Sequence, residues 1–571
     1  MTPDQGPRPT ALGRFLSFVL VAGLIGLGLW MVRDRLPLEQ LGLGGLVAPS
    51  TDDGGGDAAT PGDDAAGDEG SAGTVEVLAE VPRLDAAAPY EPKDGVVEIE
   101  ISEYAGYAGL IAANGGLAPN ESSLFTKNGG FKVKLTVSEE ESWSKLNRGG
   151  IAASTTTVDV LAVYGRQFQV VVPAQIGFSR GADGIDVLTG IKRINQLTGK
   201  VVATAQFTEV DFFLRYLAGE AGIPINLLAS LGDRPQADAI NLVFTEDGFA
   251  AGDLFLDDLK SGDGKLAGAV TWEPKLTEVV AQSAGKAQTL TTNRNLLIIA
   301  DILVVNRGFA ERHPDMVAAI VKSLLEGNRL VREQPDAQLD VVGRAFGWTR
   351  DHTKQELAKV HLSNGPENLA FFSGAIDAAG SFGGIFQSAV LAYGSVIRDP
   401  VDAERFLDLR ALKALDEAGA FKGQQIAIAP IRGKGGGTIE NDPLLTKDIR
   451  FYFEPNSAKL DVGNPKNLQD LGSIAKLLQV SPGSTILLRG HVDNSLVDEF
   501  RRQGGEPFVR QMALKAMDLS KNRAAEIKRL VIERNGADGA RIEIVGRGWE
   551  ESAGTDAELN RRVEVQWFTL E

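Results

Sequence analysis

The chain has 571 residues, which corresponds to about four units of roughly 150 residues and makes a single compact domain a poor interpretation. Lys and Arg total 58 against 76 Asp and Glu, so the net charge is −18. This balance excludes a broad nucleic-acid-binding surface, because such surfaces neutralise phosphates with basic side chains.

The residue types that are missing exclude several kinds of chemistry. The sequence has no Cys, and therefore no disulfide, thiolate nucleophile, iron–sulfur cluster or Cys-bearing zinc site. It has only four His and no HExxH motif, so we expect neither a metal nor a cofactor. A chain without thiols can still fold in an oxidising compartment.

The first apolar segment is residues 15–32, which carry no charge. A helix of this length spans about 27 Å, just enough for the hydrocarbon core of a bilayer. We predict an uncleaved transmembrane helix, with a cleaved signal peptide and a buried soluble helix as alternatives. The run is longer than the roughly 7–15 apolar residues of a signal peptide, and no A-x-A site follows closely. Residues 1–14 would then be a cytoplasmic tail, and the bulk of the chain would lie in the periplasm.

Residues 33–75 are predicted to be a tether. Positions 50–73 hold Asp, Glu, Gly and Ala without a single base. Such a segment cannot bury a core and its like charges repel, so we expect an extended, disordered linker. A partner-binding acidic tail is the alternative.

Residues 76–425 alternate β-branched apolar runs with longer amphipathic segments. The runs predicted as strands are 96–101, 169–176, 200–206, 239–244, 266–271 and 302–306. This alternation predicts largely parallel α/β sheets with binding sites at the carboxyl ends of the strands.

Local signatures in this unit occur in a specific order. Glu103–Tyr107 follow the first strand, a hydroxyl-rich stretch at 152–157 is predicted to be a turn that opens a helix, and WEP at 272–274 precedes DILVV at 301–305. A helix start at His313 follows. The order resembles the periplasmic substrate-binding proteins of the nitrate/taurine/alkanesulfonate ABC-transporter type. The resemblance implies an α/β, two-lobed periplasmic-binding-protein (type II) fold, with crossing strands near 172–178 and 300–306, that closes on a solute by hinge motion.

Candidate solute-binding residues follow from these positions: Tyr104, Tyr107, Ser154, Thr155, Thr156, Thr208 and Trp272. Hydroxyls and free N–H groups at a helix start form an anion site, although a plain N-cap is the alternative for 154–157. Thr208, with Glu209 and Asp211, fits a cap and first-turn dipole better than a cleft contact. Ordinary packing is the alternative for both tyrosines and for Trp272.

The expected cleft is unusually acidic for this kind of protein. Glu103, Glu209, Glu246 and Asp247 lie near it and fit poorly with a sulfonate or nitrate, and Arg180 is the one candidate for a bidentate anion contact. The ligand can therefore be neutral, cationic or absent. A related thiamine-pyrimidine synthase branch is enzymatic but carries a Cys-rich iron motif. Without Cys, a GxSxG elbow or a P-loop, the chain is predicted not to be an enzyme and to have no catalytic residues.

Residues 426–440 form a Gly-rich linker, and residues 441–571 follow a strand–helix–strand–helix–strand pattern. Five ordered motifs lie in this module: FxxNSAxL at 453–460, GHxDN at 490–494, LSxxRA at 519–524, GxG at 546–548 and NRRVE at 560–564. Together they resemble the α+β OmpA-like peptidoglycan-binding domain.

The resemblance implies that Asp493 and Arg523 hold the diaminopimelate part of a stem peptide. A zwitterionic end requires a carboxylate for its ammonium and a guanidinium for its carboxylate. A salt bridge between the two residues is the alternative. Asn494 is expected to support the loop, and Arg561 to reach the same pocket. Two departures are Val492 in place of the usual Thr and a longer connection at 495–515, which would cover or widen the pocket.

The sequence thus predicts a non-catalytic envelope protein, anchored in the inner membrane, that binds peptidoglycan and a small solute for ABC-type uptake or sensing. Its expected partners are peptidoglycan, the solute and an ABC permease or other envelope protein. The alternative is a scaffold between membrane and wall whose lobes recognise other envelope proteins. Solute identity and oligomeric state stay open.

Overall fold

The computed structural model describes residues 73–138, 142–375, 380–397, 400–428, 443–454, 457–481, 483–551, 553–554 and 557–569. The predicted tail (1–14), the predicted membrane helix (15–32), nearly all of the tether (33–75) and most of the linker (426–440) lie outside these ranges. Within them, no helix combines the length and the apolar character needed to cross a bilayer.

The first unit contains two six-stranded sheets. Its strands are β1 (Val96–Ile101), β2 (Lys132–Val137), β3 (Ala153–Thr157), β4 (Val170–Ser179), β5 (Asp183–Leu188), β6 (Val201–Ala205), β7 (Ile225–Leu227), β8 (Ile240–Thr245), β9 (Gly268–Trp272), β10 (Ala287–Thr292), β11 (Ala300–Asn306) and β12 (Val360–Leu362). Its helices are α1 (Ala108–Asn114), α2 (Leu124–Gly129), α3 (Trp143–Asn147), α4 (Val158–Tyr164), α5 (Glu209–Ala221), α6 (Gly248–Ser261), α7 (Lys275–Gln282), α8 (Arg307–Arg312), α9 (Pro314–Glu333), α10 (Pro335–Phe346), α11 (Arg350–Leu357), α12 (Gly365–Ser373), α13 (Phe382–Tyr393) and α14 (Arg410–Glu417).

The strand order is β12-β4-β11-β3-β1-β2 in the first lobe and β10-β5-β9-β6-β8-β7 in the second. All six predicted strands form. The expectation of largely parallel sheets is wrong, because five of the ten strand pairs are parallel and five are antiparallel. Every antiparallel pair includes β4, β5 or β11, the strands that adjoin the passages between the lobes and run against their neighbours.

The chain crosses between the lobes twice. It leaves the first lobe at 180–182, after β4, and returns at 293–299, before β11. Since β4 and β11 are hydrogen-bonded neighbours, the two crossovers lie side by side. Sequence patterns placed the crossings at 172–178 and 300–306, which are the strands adjoining these two segments.

Asn293 ties the two crossovers together. Its side-chain Oδ1 accepts a hydrogen bond from the Gly181 N–H at 2.7 Å, and its Nδ2 donates to the Asp183 carboxylate at 2.9 Å. Arg180 adds a bond from its Nε to the Arg294 carbonyl at 2.9 Å. Asn293 is fully buried, so its side-chain amide groups need these partners.

The C-terminal module is a four-stranded sheet covered by helices. Its strands are β13 (Leu445–Ile449), β14 (Thr485–Gly490), β15 (Ile542–Gly546) and β16 (Val563–Phe568), in the order β13-β16-β14-β15, and its helices are α15 (Pro465–Val480), α16 (Val497–Asn535) and α17 (Ala557–Asn560). The first strand of the module ends at Ile449, and beyond it the Tyr452 N–H and carbonyl both bond the side chain of Asn467. Gly504 and Gly505 break α16, so the long connection at 495–515 is helical on both sides of a kink.

The C-terminal module packs against the second lobe. Asn195 donates from Nδ2 to the Thr446 carbonyl at 2.8 Å, and its Oδ1 accepts from the Thr446 N–H at 2.8 Å. The N–H of Leu297, in the returning crossover, donates to the Val480 carbonyl at 2.9 Å. The module therefore contacts both the second lobe and a crossover segment.

We predict that Asn195→Ala loosens this contact. It leaves the Thr446 N–H and carbonyl without a partner, a cost of about 1–3 kcal/mol. Hydrogen exchange should then show roughly tenfold to hundredfold less protection of the Thr446 amide. Gln196→Ala is the matched control, because that exposed side chain bonds only the local Lys192 N–H among the contacts described. Equal protection in both variants would contradict the docking contact.

Candidate functional site

A cavity of about 410 Å³ lies between the two lobes. Residues at or just beyond the carboxyl ends of β1, β3, β6, β8 and β9 line it. The site therefore lies at the strand ends, where the α/β pattern predicted it.

The structure brings the predicted solute-binding residues together at this cavity. Those that line it are Tyr104, Tyr107, Ser154, Thr155, Thr156, Thr208 and Trp272. They come from segments far apart in the sequence, and the topology of the two sheets is what collects them.

The hydroxyl-rich stretch is a strand rather than the turn that the sequence predicted. Ser154–Thr157 belong to β3, which pairs with β1 on one side and β11 on the other. β-branched threonines suit an extended strand, so strand propensity prevailed over the turn tendency of clustered hydroxyls. Thr157 precedes α4, but its side chain makes no capping hydrogen bond. The Oγ1 atoms of Thr155 and Thr157 are buried and have no hydrogen bond of ordinary length and angle.

Asp301 lies at the centre of the cavity wall, paired in register with Thr157, and only 2% of its surface is exposed. The hydroxyls of Tyr104 and Tyr107 lie 3.4 and 3.5 Å from its two carboxylate oxygens. The two rings meet edge to face, with their centroids 5.2 Å apart. Burial and the nearby Asp301 carboxylate raise the pKa of both tyrosines well above the usual value, so both hydroxyls stay protonated donors.

Further buried carboxylates surround Asp301. Burial raises the pKa of Asp183 to about 6 and that of Asp159 to about 7. Burial, with the Asp183 charge added, raises the pKa of Asp301 well above its usual value. Desolvation opposes ionisation of all three carboxyl groups, and their proximity adds to it.

Two predicted contacts are absent or altered. Arg180 does not line the cavity, so the expectation that it contacts an anion is wrong. Its guanidinium instead bonds the Arg294 carbonyl in the second crossover, and burial lowers the pKa of Arg180 to about 10. Thr208 lies at the N-terminal end of α5, but its hydroxyl donates to the Ala205 carbonyl at 2.8 Å instead of capping the helix. The Asp211 carboxylate, in the first turn of the helix, accepts from the Phe207 N–H at 3.2 Å.

Aromatic rings form two walls of the cavity. Trp272 packs against Phe249, with ring centroids 5.4 Å apart, and a Cβ on Gly248 would lie only 2.2 Å from the indole. Gly248 therefore lets α6 approach the ring closely. Trp143, which sequence analysis missed, lines another part of the cavity and packs against Phe168 at 5.5 Å.

Sequence analysis also missed Asp183 and Asp301 as lining residues. The sequence did indicate them, because each Asp is the first residue of a largely apolar run, DGIDVL or DILVVN, that predicts a buried strand. A charged residue at a buried position is costly unless it serves a purpose.

A strap formed by residues 73–91 crosses from one lobe to the other. The Leu78 backbone exchanges two hydrogen bonds with the side chain of Gln206, at 2.8 and 3.0 Å. Farther along, the Tyr90 N–H donates to Asn306 in the first lobe at 3.1 Å. Since Gln206 also lines the cavity, the strap holds one of its walls.

A second cavity, of about 730 Å³, lies in the C-terminal module and is lined by Asp493, Arg523 and Arg561 among others. Arg561 Nε donates to Asp493 Oδ2 at 2.7 Å, and the Ser495 hydroxyl donates to Oδ1. Partial burial would raise the pKa of Asp493, but these donors outweigh it, and the net effect is a lowered pKa. The carboxylate is therefore ionised at neutral pH.

Arg523 does not form the alternative salt bridge with Asp493. Its Nε donates to the Ser457 carbonyl at 3.3 Å, and its guanidinium lies 4.8 Å from the centre of the Phe453 ring. The carboxylate and the guanidinium thus face one cavity as separate groups. Asn494 is exposed and does not line the cavity, and its carbonyl accepts from the Val497 N–H at the start of α16.

The helical connection at 495–515 forms part of this second cavity. Phe500, Met512 and Lys515 line it, and Phe500 packs edge to face on Phe508 with centroids 5.8 Å apart. The insertion therefore adds a wall to the pocket.

Two α/β lobes, joined by paired crossovers around a cleft, define a periplasmic-binding-protein-like fold. The four-stranded module adds a separate pocket that combines a carboxylate with guanidinium groups. Residues 452–566 of the chain match the OmpA family.

Solved structures were also compared with the chain. It is similar to the alkanesulfonate-binding protein SsuA from Xanthomonas axonopodis pv. citri bound to MOPS, with 13% identity, a TM-score of 0.41 and coverage of 56% of this chain and 99% of that one. It is similar to the periplasmic aliphatic sulphonate binding protein SsuA from Escherichia coli, with 16% identity, a TM-score of 0.41 and coverage of 57% and 100%. It is also similar to the periplasmic nitrate-binding protein NrtA from Synechocystis PCC 6803, with 13% identity, a TM-score of 0.42 and coverage of 59% of this chain and 92% of that one. The comparison with curated proteins gave no match.

We predict that Asp159→Asn stabilises the unliganded protein at pH 8 but has little effect at pH 4. Burial raises the pKa of Asp159 from 3.8 to about 7, with Thr157 offsetting part of the effect and Asp211 and Asp183 adding to it. The folded state therefore binds the proton more tightly than the unfolded state, and the stability that this tighter binding provides is lost as pH rises from about 4 to 7. At pH 8 the ionised, buried carboxylate lowers the free energy of unfolding by up to about 4 kcal/mol.

Urea unfolding at several pH values measures this effect as the difference between variant and parent. Asp315→Asn is the matched control, because Asp315 is an exposed acid in the first turn of α9. A variant-minus-parent difference that stays constant from pH 4 to pH 8 would show that Asp159 is not a proton-linked destabilising group.

Proposed function

We propose that this chain is a non-catalytic envelope protein that binds peptidoglycan through its C-terminal module and a small solute in the cleft between its lobes. The observation that carries the proposal is the presence, in one chain, of two features: an OmpA-family module whose cavity is lined by an ionised Asp493 and by Arg523 and Arg561, and a cleft between two lobes.

The wall pocket has the charges that a diaminopimelate stem requires. Asp493 offers an ionised carboxylate for an ammonium group, and Arg523 offers a planar guanidinium for a carboxylate. Arg561, which bonds Asp493 at 2.7 Å, positions that carboxylate and lines the same cavity.

The cleft supports capture of a solute by lobe closure. Its lining residues come from both lobes, so closing the hinge brings two half-sites onto one ligand. The crossovers at 180–182 and 293–299 are the segments about which such a rotation would occur.

We place the protein in the inner membrane, with residues 1–14 in the cytoplasm, a helix at 15–32 and the rest in the periplasm. The composition of these segments supports this topology. Attachment to membrane and wall would keep the lobes at a high effective concentration near a permease or another envelope protein, provided the tether spans the distance.

A scaffold is the second candidate, and the restraints on the hinge favour it. The strap at 73–91 bonds both lobes, and Lys359 of the first lobe lies 2.8 Å from the Glu273 carboxylate of the second. Lobes held together in this way could serve as a fixed surface for other envelope proteins.

We predict that Asp493→Ala and Arg523→Ala each reduce binding to purified peptidoglycan by at least about tenfold in a sedimentation assay with the full chain. Loss of one charge-assisted bond in a partly buried pocket costs about 1.5–3 kcal/mol. Arg529→Ala is the control, because Arg529 lies on the same helix and pairs with Glu526 and Glu533 outside the pocket. Parent-like binding by both pocket variants would remove the site assignment.

We predict that a solute at a hundred times its Kd stabilises the lobes by about 2.7 kcal/mol. Thermal unfolding of the full chain in a library of small anions, neutral molecules and amines measures this shift. A folded protein that no member of a broad library stabilises would favour the scaffold instead.

A further inference from the structure

The lining of the cleft has one sign of charge. Among the described residues, seven Asp and Glu line it and no Lys, Arg or His does; the seven are Glu100, Glu103, Asp183, Glu209, Glu246, Asp247 and Asp301. A cavity between low-dielectric walls focuses this charge and attracts cations.

Two buried carboxyl groups of the lining, Asp183 and Asp301, lack basic partners in the described part of the chain. Within the described residues, Glu100 bonds Lys145 at 2.7 Å, whereas neither Asp183 nor Asp301 pairs with a basic side chain. Their partners are a hydroxyl, an amide and two phenols. An anion placed here would gain no basic partner from either residue and would further oppose ionisation of both carboxyl groups, whereas a cation would favour it.

Two buried hydroxyls point independently to a ligand. Thr155 and Thr157 are 6% and 5% exposed and line the cavity, and among the described residues their Oγ1 atoms form no hydrogen bond of ordinary geometry. A buried polar group left without a partner costs about 1–3 kcal/mol, and a bound molecule with N–H donors removes that cost. A hydroxyl can also donate to an anion, so the neighbouring carboxylate of Asp301 decides the sign of the ligand.

The walls of the cavity suit a cation as well. Trp143, Trp272, Tyr104 and Tyr107 present aromatic surface around the carboxylates. Cations bind favourably over such rings, by about 0.5–2 kcal/mol each.

The arrangement fits an organic cation better than a metal ion. Within the described residues, the group of three possible ligands that converge closely is His491, Glu551 and Glu564, which lies in the other module and is already neutralised by Arg489 at 2.7 and 2.8 Å. Among the described residues, no three carboxylates of the cleft converge in this way. A cavity of about 410 Å³ is within the size range of sites for small organic molecules.

We propose that the cleft binds a small organic cation whose protonated amine groups donate N–H bonds to Asp301 and to the hydroxyls of Thr155 and Thr157. This inference rests on the proposed function of the lobes as a solute-binding unit, and it specifies the chemical class of that solute.

Affinity for such a cation should rise between pH 5 and pH 8. Burial raises the pKa of Asp183 to about 6, with Ser179 and Asn293 opposing the shift and Glu273 adding to it; Asp301, Asp159 and Tyr104 also face this group. A bound cation favours the ionised form of the carboxyl groups, so binding releases protons. The affinity therefore increases as the pH rises.

Calorimetric titration of the full chain with spermidine, choline and methanesulfonate tests the class of ligand. We expect spermidine to bind, choline to bind at least about fivefold more weakly because it lacks N–H donors, and methanesulfonate not to bind. Asp301→Asn should weaken spermidine binding at least tenfold, whereas Asp263→Asn, which alters an exposed acid of the second lobe outside the cavity, should not. Thr155→Val preserves the shape of the side chain but removes its hydroxyl, and it should weaken spermidine binding about threefold to tenfold. This variant tests the inference if Asp301→Asn does not fold.

The outcomes separate this inference from the proposed function. Binding of methanesulfonate without spermidine would overturn the cationic ligand but leave a solute-binding protein. Equal affinity for choline and spermidine, or unchanged affinity in Asp301→Asn and Thr155→Val, would overturn the amine contacts. No binding of any probe, together with no stabilisation by a broad library, would overturn both.

Discussion

The cleft depends on one constraint, the burial of Asp301 without a basic partner among the described residues. Asp301 is the second residue of the returning strand β11, directly after a crossover, and so lies where the lobes meet. Two tyrosine hydroxyls approach its oxygens from the first lobe, and Asp183 faces it from the other crossover. An isolated buried carboxylate is expensive, so this arrangement either retains a proton or takes up a cation.

The same crossovers connect the cleft with the rest of the chain. Asn293 joins them to each other, the strap bonds a cavity residue, and the C-terminal module bonds Leu297 within the returning segment. Movement of the lobes therefore bears on contacts with the strap and the C-terminal module. These contacts restrain the hinge between the lobes.

Much of this architecture could be predicted from the sequence. The six apolar runs form strands, because β-branched periodicity is a strong local signal, and the order of motifs placed Tyr104, Thr155 and Trp272 around one cleft. Other features depend on tertiary pairing. Ser154–Thr157 became a strand because β1 and β11 flank it, Arg180 turned to the opposite crossover, and Asp493 paired with Arg561 across a loop. None of these partners is visible in a local window of sequence.

The most direct test of the cleft chemistry is a crystal structure of the chain with bound spermidine at neutral pH. The account predicts a ligand nitrogen within about 2.7–3.2 Å of an Asp301 carboxylate oxygen and a second polar contact to Thr155 or Thr157. An empty cleft, or a ligand whose nitrogens lie away from Asp301, would contradict it.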